Sequence, residues 1–479
     1  MHYEMLKGDM LVMEKKKQPN VEELSKRLSA FDLFTIGFGA IIGVGWIIVI
    51  GDWVNLGGGP LATTLAFVVG ALCLYPIARV FGALNVALPK AGGPFYYTLK
   101  AFGKRAAFVT GWFLMLAYVM MCPWEVIAIG QLAQTLFPPL ATVPLYSIQG
   151  EMIYLPTLLL CLVIAGVVIC LNIVGIDKVA RVQKVLVFVL MGISVIIIIT
   201  AVFCGNISNI KPLVTKTPKN PQGRFINGFL AVLAMQPFFF SGFDTIGQEI
   251  EEVSADSDKC RVGSVSGIAV CSSGLFYALI IPAVCMVMPW ADMLTLQLPA
   301  AEVFSVGLGL NVLKVIVIIG AFCGLLTTLN SFYVASARLM MSMGRESLLP
   351  SAMKKVHPKY HTPLFPNICI GILCLAGCFL SKGLLMPIIN VCSFGYILAW
   401  LMVSISAFKL RKDTELVFPY SLSRITITVA IILASVMLLL LIIPGSPGAL
   451  VWPLEICLVG IWLILGVGFL IAIEKRSHS

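Results

Sequence analysis

Apolar runs of about 20 residues recur along this chain from residue 31 to residue 474. A helix rises about 1.5 Å per residue, so each run is long enough to cross the roughly 30 Å hydrocarbon layer of a bilayer. Only 12% of the 479 residues are charged and 59% are hydrophobic, whereas soluble domains carry roughly 25% charged residues. We therefore predict an integral membrane protein that is helical wherever it meets lipid.

Proline, glycine and charged clusters divide the apolar sequence into twelve segments, which predicts an all-α membrane protein with twelve transmembrane helices. The predicted spans are residues 31–52, 60–83, 106–135, 153–174, 180–204, 224–250, 264–289, 303–343, 366–381, 384–408, 424–444 and 450–474.

Lysine and arginine are distributed unevenly among the connecting loops. They are concentrated in both termini and in the loops between spans 2 and 3, 4 and 5, and 10 and 11. The positive-inside rule places these segments in the cytoplasm, so we expect a multi-pass plasma-membrane protein with cytoplasmic N and C termini. Lys211, Lys216 and Lys219 disagree, because they fall on the predicted outer side. The net charge of +10 is thus a topology signal and does not indicate nucleic-acid binding.

Two predicted spans contain residues that interrupt helices. Span 1 has glycines at 43 and 45 within AIIGVGWIIVIG, and span 6 has proline, serine, glycine and aspartate within PFFFSGFDTIG. Spans 1 and 6 are five apart, which is the pattern of a transporter built from inverted repeats. Lipid penalises unpaired backbone by several kcal/mol per group, so a break survives only where it lines a cavity. The alternative is that the glycines only allow close helix packing.

We expect the two breaks to hold the substrate. The N–H groups of residues 43–45 would bind a carboxylate, as helix N-termini do, and backbone carbonyls near Phe238 and Ser241 would bind an ammonium group. Aromatic side chains beside the breaks would shape the pocket, ordinary packing being the alternative. The predicted substrate-binding residues are Ile42, Gly43, Val44, Gly45, Trp46, Phe238, Phe240, Ser241 and Gly242.

Four stretches resemble the amino acid, polyamine and organocation (APC) transporter superfamily. Residues 40–46 are similar to its first-helix glycine motif, and LPKAGGPFYY at 88–97 to its motif after helix 2. Gly242-Phe-Asp244, followed by Glu251 and Glu252, is similar to helix 6 and its exit, and residues 336–346 resemble the end of helix 8.

The resemblance implies a leucine-transporter fold with a 5+5 inverted repeat. Its parts would be a cytoplasmic tail at 1–30, a first repeat at 31–204, a second repeat at 205–410, and helices 11 and 12 with the C-terminal tail at 411–479. It also implies an amino acid or related amine as the substrate.

Two departures from the family leave the coupling ion open. The chain has Ala83 where relatives often carry Glu, and the position that holds a sodium-replacing Lys in several relatives matches Leu190. Sodium-coupled members complete a sodium site with hydroxyls on helix 8, which makes Thr327 and Thr328 the candidate sodium ligands. The alternative is that these hydroxyls bond to backbone carbonyls of their own or a neighbouring helix.

Glu125 and Asp244 are two of the carboxylates inside predicted spans, where a carboxylate costs roughly 2.5–3.5 kcal/mol and so needs an interior position. Glu125, two residues after Pro123, is a candidate proton carrier or counter-charge for a cationic substrate; alternatively it bonds, protonated, to a carbonyl freed by the proline. Asp244 is a second coupling candidate. For Asp244 we favour a capping role, in which it accepts N–H groups two or three residues further on.

These features predict a secondary active transporter that moves a small amino acid or amine by alternating access, through proton coupling, sodium coupling or exchange. The alternative is a nutrient sensor or a channel that uses the same pocket. An enzyme is disfavoured, because the four histidines lie in tails or loops and no catalytic motif lies in a span. We expect no cofactor beyond a coupling proton or sodium ion. The expected partners are the substrate and the bilayer, with no nucleic acid, and the sequence does not indicate an oligomeric state.

Overall fold

A computed structural model of the chain describes residues 24, 26–174 and 176–478. Within that part of the chain, ten helices are long and apolar enough to cross a membrane, and three shorter apolar helices accompany them. The helices are α1 (Ala30–Ile41), α2 (Gly45–Ile48), α3 (Ile50–Gly57), α4 (Pro60–Ala87), α5 (Pro94–Phe102), α6 (Lys104–Leu136), α7 (Leu155–Val174), α8 (Ile176–Cys204), α9 (Phe225–Phe240), α10 (Ile246–Glu249), α11 (Lys259–Val287), α12 (Trp290–Met293), α13 (Pro299–Leu308), α14 (Asn311–Arg345), α15 (Leu364–Gly377), α16 (Leu385–Leu410), α17 (Arg424–Ile442) and α18 (Leu454–His478).

The predicted class of helical membrane protein is confirmed. Ten of the twelve predicted spans fall on the ten long apolar segments. The sixth falls on α9 and α10, which a break separates, and the ninth on α15, which has only 14 residues. The arrangement of twelve spans in two five-helix repeats stays a prediction, and most of the predicted tail at 1–30 lies outside the described residues.

A β-hairpin joins α6 to α7, although the sequence analysis expected only helices. Strands β1 (Pro144–Ile148) and β2 (Glu151–Tyr154) pair antiparallel. Gln149 and Gly150 connect them with φ angles of 51° and 78°, the conformation of the two-residue turns that suit twisted hairpins. The hairpin is held to the segment before α16, because the Tyr146 hydroxyl donates to the Phe379 carbonyl and Glu151 forms an ion pair with Lys382 at 3.1 Å.

Helix α6 lies at the centre of the bundle, since 94% of the residues in its most apolar stretch are buried. It packs against α14, α15 and α16, while α4 lies along α11. The first half of helix 1, α1, is enclosed by α8, α11 and α14. In helix α18, by contrast, only 6% of the residues in the most apolar stretch are buried, so this helix lies at the periphery of the bundle. Side chains on α6 and α1 are therefore the ones placed to meet at the protein's interior.

Candidate substrate site at two helix breaks

The first break separates α1 from α2. Helix α1 begins with a capping box in which Ser29 and Asp32 bond each other's backbone N–H, and its helical bonding ends with the Ile42 N–H donating to the Phe38 carbonyl. Ile42 then leaves the helical region, with φ −91° and ψ 75°. Among the described residues, no backbone hydrogen bond is formed by the N–H groups of residues 43–45. The predicted interruption therefore leaves three adjacent buried donors available to a ligand.

The second break follows α9, at Ser241 and Gly242. The Ser241 N–H still bonds to the Pro237 carbonyl, but Gly242 has a φ of 135°, which a side chain rarely adopts. A Cβ at Gly242 would also lie 2.7 Å from the backbone nitrogen of Ile41. Glycine is thus required here both for the turn and for the close approach of the two chains. The two breaks lie directly against each other.

Tyr277, on α11, connects the two breaks, and sequence reasoning did not identify it. Its hydroxyl lies 3.1 Å from the Ile41 carbonyl and 3.3 Å from the Phe239 carbonyl. Both carbonyls end regular helices, so their usual helical donors are missing. A buried hydroxyl from a third helix supplies the donor, which fixes the relative position of α1 and α9 at the site.

Glu125 faces the first break. It is 1% exposed, and its Oε2 has no hydrogen-bond partner among the described residues. A Cβ built on Gly43 would lie 3.5 Å from Glu125 Oε1 and would overlap the hydroxyl of Thr328. The carboxyl group predicted as a coupling residue therefore lies beside the free N–H groups of the first break.

Asp244 does not cap the helix that follows it, so the capping prediction is wrong. Its Oδ1 accepts the N–H of Gly242, two residues before it, at 2.8 Å, and its Oδ2 accepts the Tyr118 hydroxyl at 2.8 Å. Helix α10 begins after Thr245 with no side-chain cap. Asp244 is bound on both sides because the tight turn at Gly242 points that N–H toward the carboxylate. Its proposed coupling role remains a prediction.

Thr327 and Thr328 lie where α14 crosses the end of α1. The Thr327 hydroxyl donates to the Gly39 carbonyl at 3.0 Å, and the Thr328 hydroxyl lies 3.2 Å from the same oxygen. Both also lie within hydrogen-bond distance of the Gly324 carbonyl. The structure thus brings together the α1 carbonyls and the α14 hydroxyls that a sodium ion would need. The protons of these hydroxyls are donated to backbone carbonyls.

Gln183, on α8, contacts the junction of α1 and α14. Leu190, which the sequence analysis matched to the lysine position of several relatives, does not lie at this junction. The Gln183 amide nitrogen lies 3.2 Å from the Thr327 carbonyl and 3.1 Å from the Ser331 hydroxyl. A Cβ on Gly39 would lie 2.7 Å from the same nitrogen. Leu190 lies two turns further along α8, within the hydrophobic core. Gln183 lies between Arg181 and Lys184 at the charged start of α8, so its local sequence did not distinguish it from a surface residue.

The aromatic residues that were predicted to shape the pocket pack against other aromatic rings around the breaks. The Trp46 ring lies 5.6 Å from that of Phe276, and the Phe238 ring lies 5.3 Å from that of Trp124. Phe239, which was not predicted, is the ring against the break, because a Cβ on Gly45 would lie 2.9 Å from its edge. Phe240 points instead toward Tyr277, at 5.5 Å between ring centroids.

The site is sealed on the membrane face that carries the loop at 88–93. Arg338 pairs with Glu252 in a fully buried contact, and Arg345 pairs with Glu251 at 2.9 Å. Glu251 also accepts the Ala91 N–H at 3.0 Å. Residues 88–93, the segment that follows α10 and the end of α14 therefore form one closed layer. Each of these segments carries one of the family motifs. We call this side the basic face.

The opposite side of the bundle, which we call the hairpin face, carries a cavity of about 260 Å³. Its lining includes Ile48 and Val49 together with the charged side chains of Asp52, Glu151 and Lys382. The break residues 42–45, 241 and 242 are buried and are not among the lining residues, so the cavity ends short of the breaks.

Comparison with known proteins agrees with this architecture. Residues 28–469 match the sequence profile of the family described as amino acid permease. The methylthioribose transporter of Bacillus subtilis (strain 168) is 29% identical over 407 residues, which cover 82% of this chain and 83% of the relative. The branched-chain amino acid permease of the same organism is 27% identical, with 82% of each chain covered. Cationic amino acid transporter 9, chloroplastic, of Arabidopsis thaliana is 30% identical, covering 70% of this chain and 58% of the relative. The profile covers nearly the whole described chain, and we conclude that this protein is a membrane-embedded member of the amino acid permease family in the APC superfamily.

Proposed function

We propose that this permease is a secondary active transporter that carries a small zwitterionic amino acid or a related amine by alternating access. The observation that carries the proposal is the pair of facing breaks, at residues 42–44 and 241–242, with unpaired N–H groups deep in the protein. Backbone of this kind is tolerated within a membrane only where it lines a cavity or binds a ligand.

The substrate carboxylate would bind the N–H groups of residues 43–45, and its amino group would bind backbone carbonyls near Phe238 and Ser241 at the second break. Phe239 against Gly45, with Trp53 at 4.6 Å from it, provides an apolar wall suited to a neutral or aromatic side chain. Glu125 beside the carboxylate position would oppose a second negative charge. We therefore expect neutral amino acids or small amines to bind in preference to glutamate.

We propose that Glu125 couples transport to protons. Two negative charges about 4 Å apart repel by about 4 kcal/mol at an effective dielectric constant of 20. A substrate carboxylate at Gly43 and an ionised Glu125 would therefore exclude each other, whereas a protonated Glu125 could donate a hydrogen bond. Binding of the substrate and of one proton would then favour each other, which is the requirement for symport.

Sodium coupling is the less favoured mechanism, because of Gln183. Sodium prefers a shell of oxygen ligands without competing donors. At the junction of α1 and α14, the Gln183 amide donates to the Thr327 carbonyl, and both threonine hydroxyls use their protons on carbonyls of Gly39 or Gly324. A neutral donor thus occupies space where a cation would otherwise connect the two helices.

Uptake into proteoliposomes under imposed gradients tests the function and the coupling together. We expect accumulation of a neutral amino acid driven by an inward proton gradient, and Glu125→Gln should abolish accumulation while preserving exchange of internal for external substrate. Accumulation driven by sodium alone and unchanged in Glu125→Gln would contradict the coupling. Ligand binding without counterflow would indicate a sensor, and unitary currents would indicate a channel.

The orientation follows from charge. Positive residues of short loops remain on the cytoplasmic side, so we propose that the basic face is cytoplasmic and the hairpin face external, in the plasma membrane. A protease site inserted into the β-hairpin should then be cleaved in intact cells, and a site inserted after Lys412 should be protected.

A further inference from the structure

A second cavity, of about 680 Å³, lies at the basic face, away from the helix breaks. It is enclosed by the start of α6, the segment that follows α14 and the end of α18. Its polar side carries Lys104, Arg105 and Lys354, and its other side carries Phe469, Leu470 and Ile473. Ile473 is also the last residue of the apolar span of α18. The cavity is therefore located at the boundary between the hydrocarbon layer and water.

Positive charge predominates in this cavity. Among the residues whose side chains the structure describes, three cationic groups and one carboxylate, that of Glu346, line it, an excess of two positive charges. Lys104 is held in place, since its Nζ donates to the Glu346 carbonyl at 3.1 Å. Helix α6 begins at Lys104 without a side-chain cap on its first N–H groups. The N-terminus of this 33-residue helix adds partial positive charge to the same site.

The apolar side of the cavity continues along a helix that faces lipid. Trp462 of α18 stacks on Trp112 of α6 at 4.6 Å, and each indole N–H donates to the other residue's carbonyl. This contact holds α18 to α6 in mid-span, and the cavity opens between the two helices toward the basic face. Phe469 and Ile471 are about half exposed, at 42% and 50%. An acyl chain that leaves the cavity would lie along this surface.

We propose that this cavity binds the phosphodiester headgroup of an anionic phospholipid, with one acyl chain along α18. A cationic group of three side chains at a helix N-terminus recognises a phosphate, and the adjoining apolar wall at membrane depth selects a lipid over a soluble phosphate. The site is separate from the transport pathway, and the proposal does not depend on which substrate is carried.

Native mass spectrometry of the purified full chain with equal amounts of phosphatidylglycerol and phosphatidylcholine of the same acyl chains tests this. Each basic side chain that contacts the bound headgroup contributes about fivefold to the affinity for an anionic lipid, whereas a basic side chain outside the cavity does not. Arg105→Gln with Lys354→Gln should therefore reduce the preference for one tightly bound phosphatidylglycerol by about 25-fold. The matched control is Lys100→Gln with Lys409→Gln, which removes two exposed charges from the same face and should keep the preference.

Arg105 and Lys354 also interact with neighbouring protein groups, so Lys104→Gln serves as a second variant if the double variant does not fold. It should reduce the preference about fivefold. Soluble glycerophosphoglycerol and inorganic phosphate, added in a thermal-unfolding assay, should not stabilise the protein as the lipid does. Equal lipid binding in wild type and both double variants, no headgroup preference in wild type, or equal stabilisation by the soluble phosphates would overturn the proposal.

Discussion

The contact between the first helix break and α14 predicts a specific result for Gly43→Ala. The added Cβ would overlap the Thr328 hydroxyl and lie 3.3 Å from the Thr328 Cβ. The hydroxyl would have to leave the carbonyls of Gly39 and Gly324, which costs about 1 kcal/mol for a hydrogen bond. Overpacking of a closely packed interior adds about 1–3 kcal/mol. We expect Gly43→Ala to lower the free energy of unfolding by about 2–4 kcal/mol.

A double-mutant cycle with Thr328→Ala separates this contact from other effects. Removing the hydroxyl removes most of the overlap, so Gly43→Ala should cost much less in the Thr328→Ala background, with a coupling energy of about 2 kcal/mol. Unfolding titrations with SDS in mixed micelles measure all four proteins. Gly192→Ala is the matched control, because a Cβ there has nothing within 4 Å, and it should not destabilise. Effects of Gly43→Ala and Thr328→Ala that add to within about 0.5 kcal/mol would refute the proposed contact.

Three further substitutions test the surroundings of the site. Tyr277→Phe removes the donor shared by two buried carbonyls and should lower the unfolding free energy by about 1–3 kcal/mol in the same titration; an unchanged value would show that the hydroxyl is not needed there. Gln183→Ala removes the amide donor from a group of oxygen atoms, so sodium chloride, compared with choline chloride, should raise the melting temperature of this variant and not of wild type. A sodium-dependent rise in the melting temperature of wild type would contradict the inference that the Gln183 amide occupies the place of a cation. Glu252→Gln removes the carboxylate that is paired with the buried Arg338 and should speed hydrogen exchange in residues 88–93; unchanged exchange would mean that the ion pair does not hold the basic face closed.

The sequence was sufficient to predict the helical class and both breaks, because lipid imposes strict rules on backbone and composition. A run of 20 apolar residues can cross a bilayer only as a helix or as part of a closed barrel. Glycine or proline within such a run indicates either close helix packing or a break in the helix. The predicted bounds of most long spans agree with the helices for this reason. The eighth, 303–343, does not, because it joins the second half of α13 to α14 across the turn at Gly309. The β-hairpin was missed since it lies outside the hydrocarbon layer, where residues 144–154 follow the weaker rules of ordinary surface loops.

Site contacts were less predictable, because they depend on which helices meet. Tyr277, Gln183 and Tyr118 come from three helices, and nothing in the local sequence relates them to residues 39–44 or to Asp244. Periodicity gives the face of a helix but not the neighbour that the face contacts. The capping prediction for Asp244 failed for the same reason, since the turn at Gly242 presented a nearer N–H group. The match of Leu190 to the lysine position of relatives stays a prediction.

The β-hairpin is attached to the segment before α16 at the surface of this permease. Three contacts connect the two: the Tyr146 bond to Phe379, the Ser381 hydroxyl bond to the Ile148 carbonyl, and the Glu151–Lys382 ion pair. Any rearrangement that shifts the start of α16 must carry the hairpin along or break these contacts. Most residues of the hairpin are exposed, so an antibody fragment or a fluorophore can be placed at its turn without disturbing the helix bundle. A shift of the start of α16 would then be measurable as a movement of the hairpin.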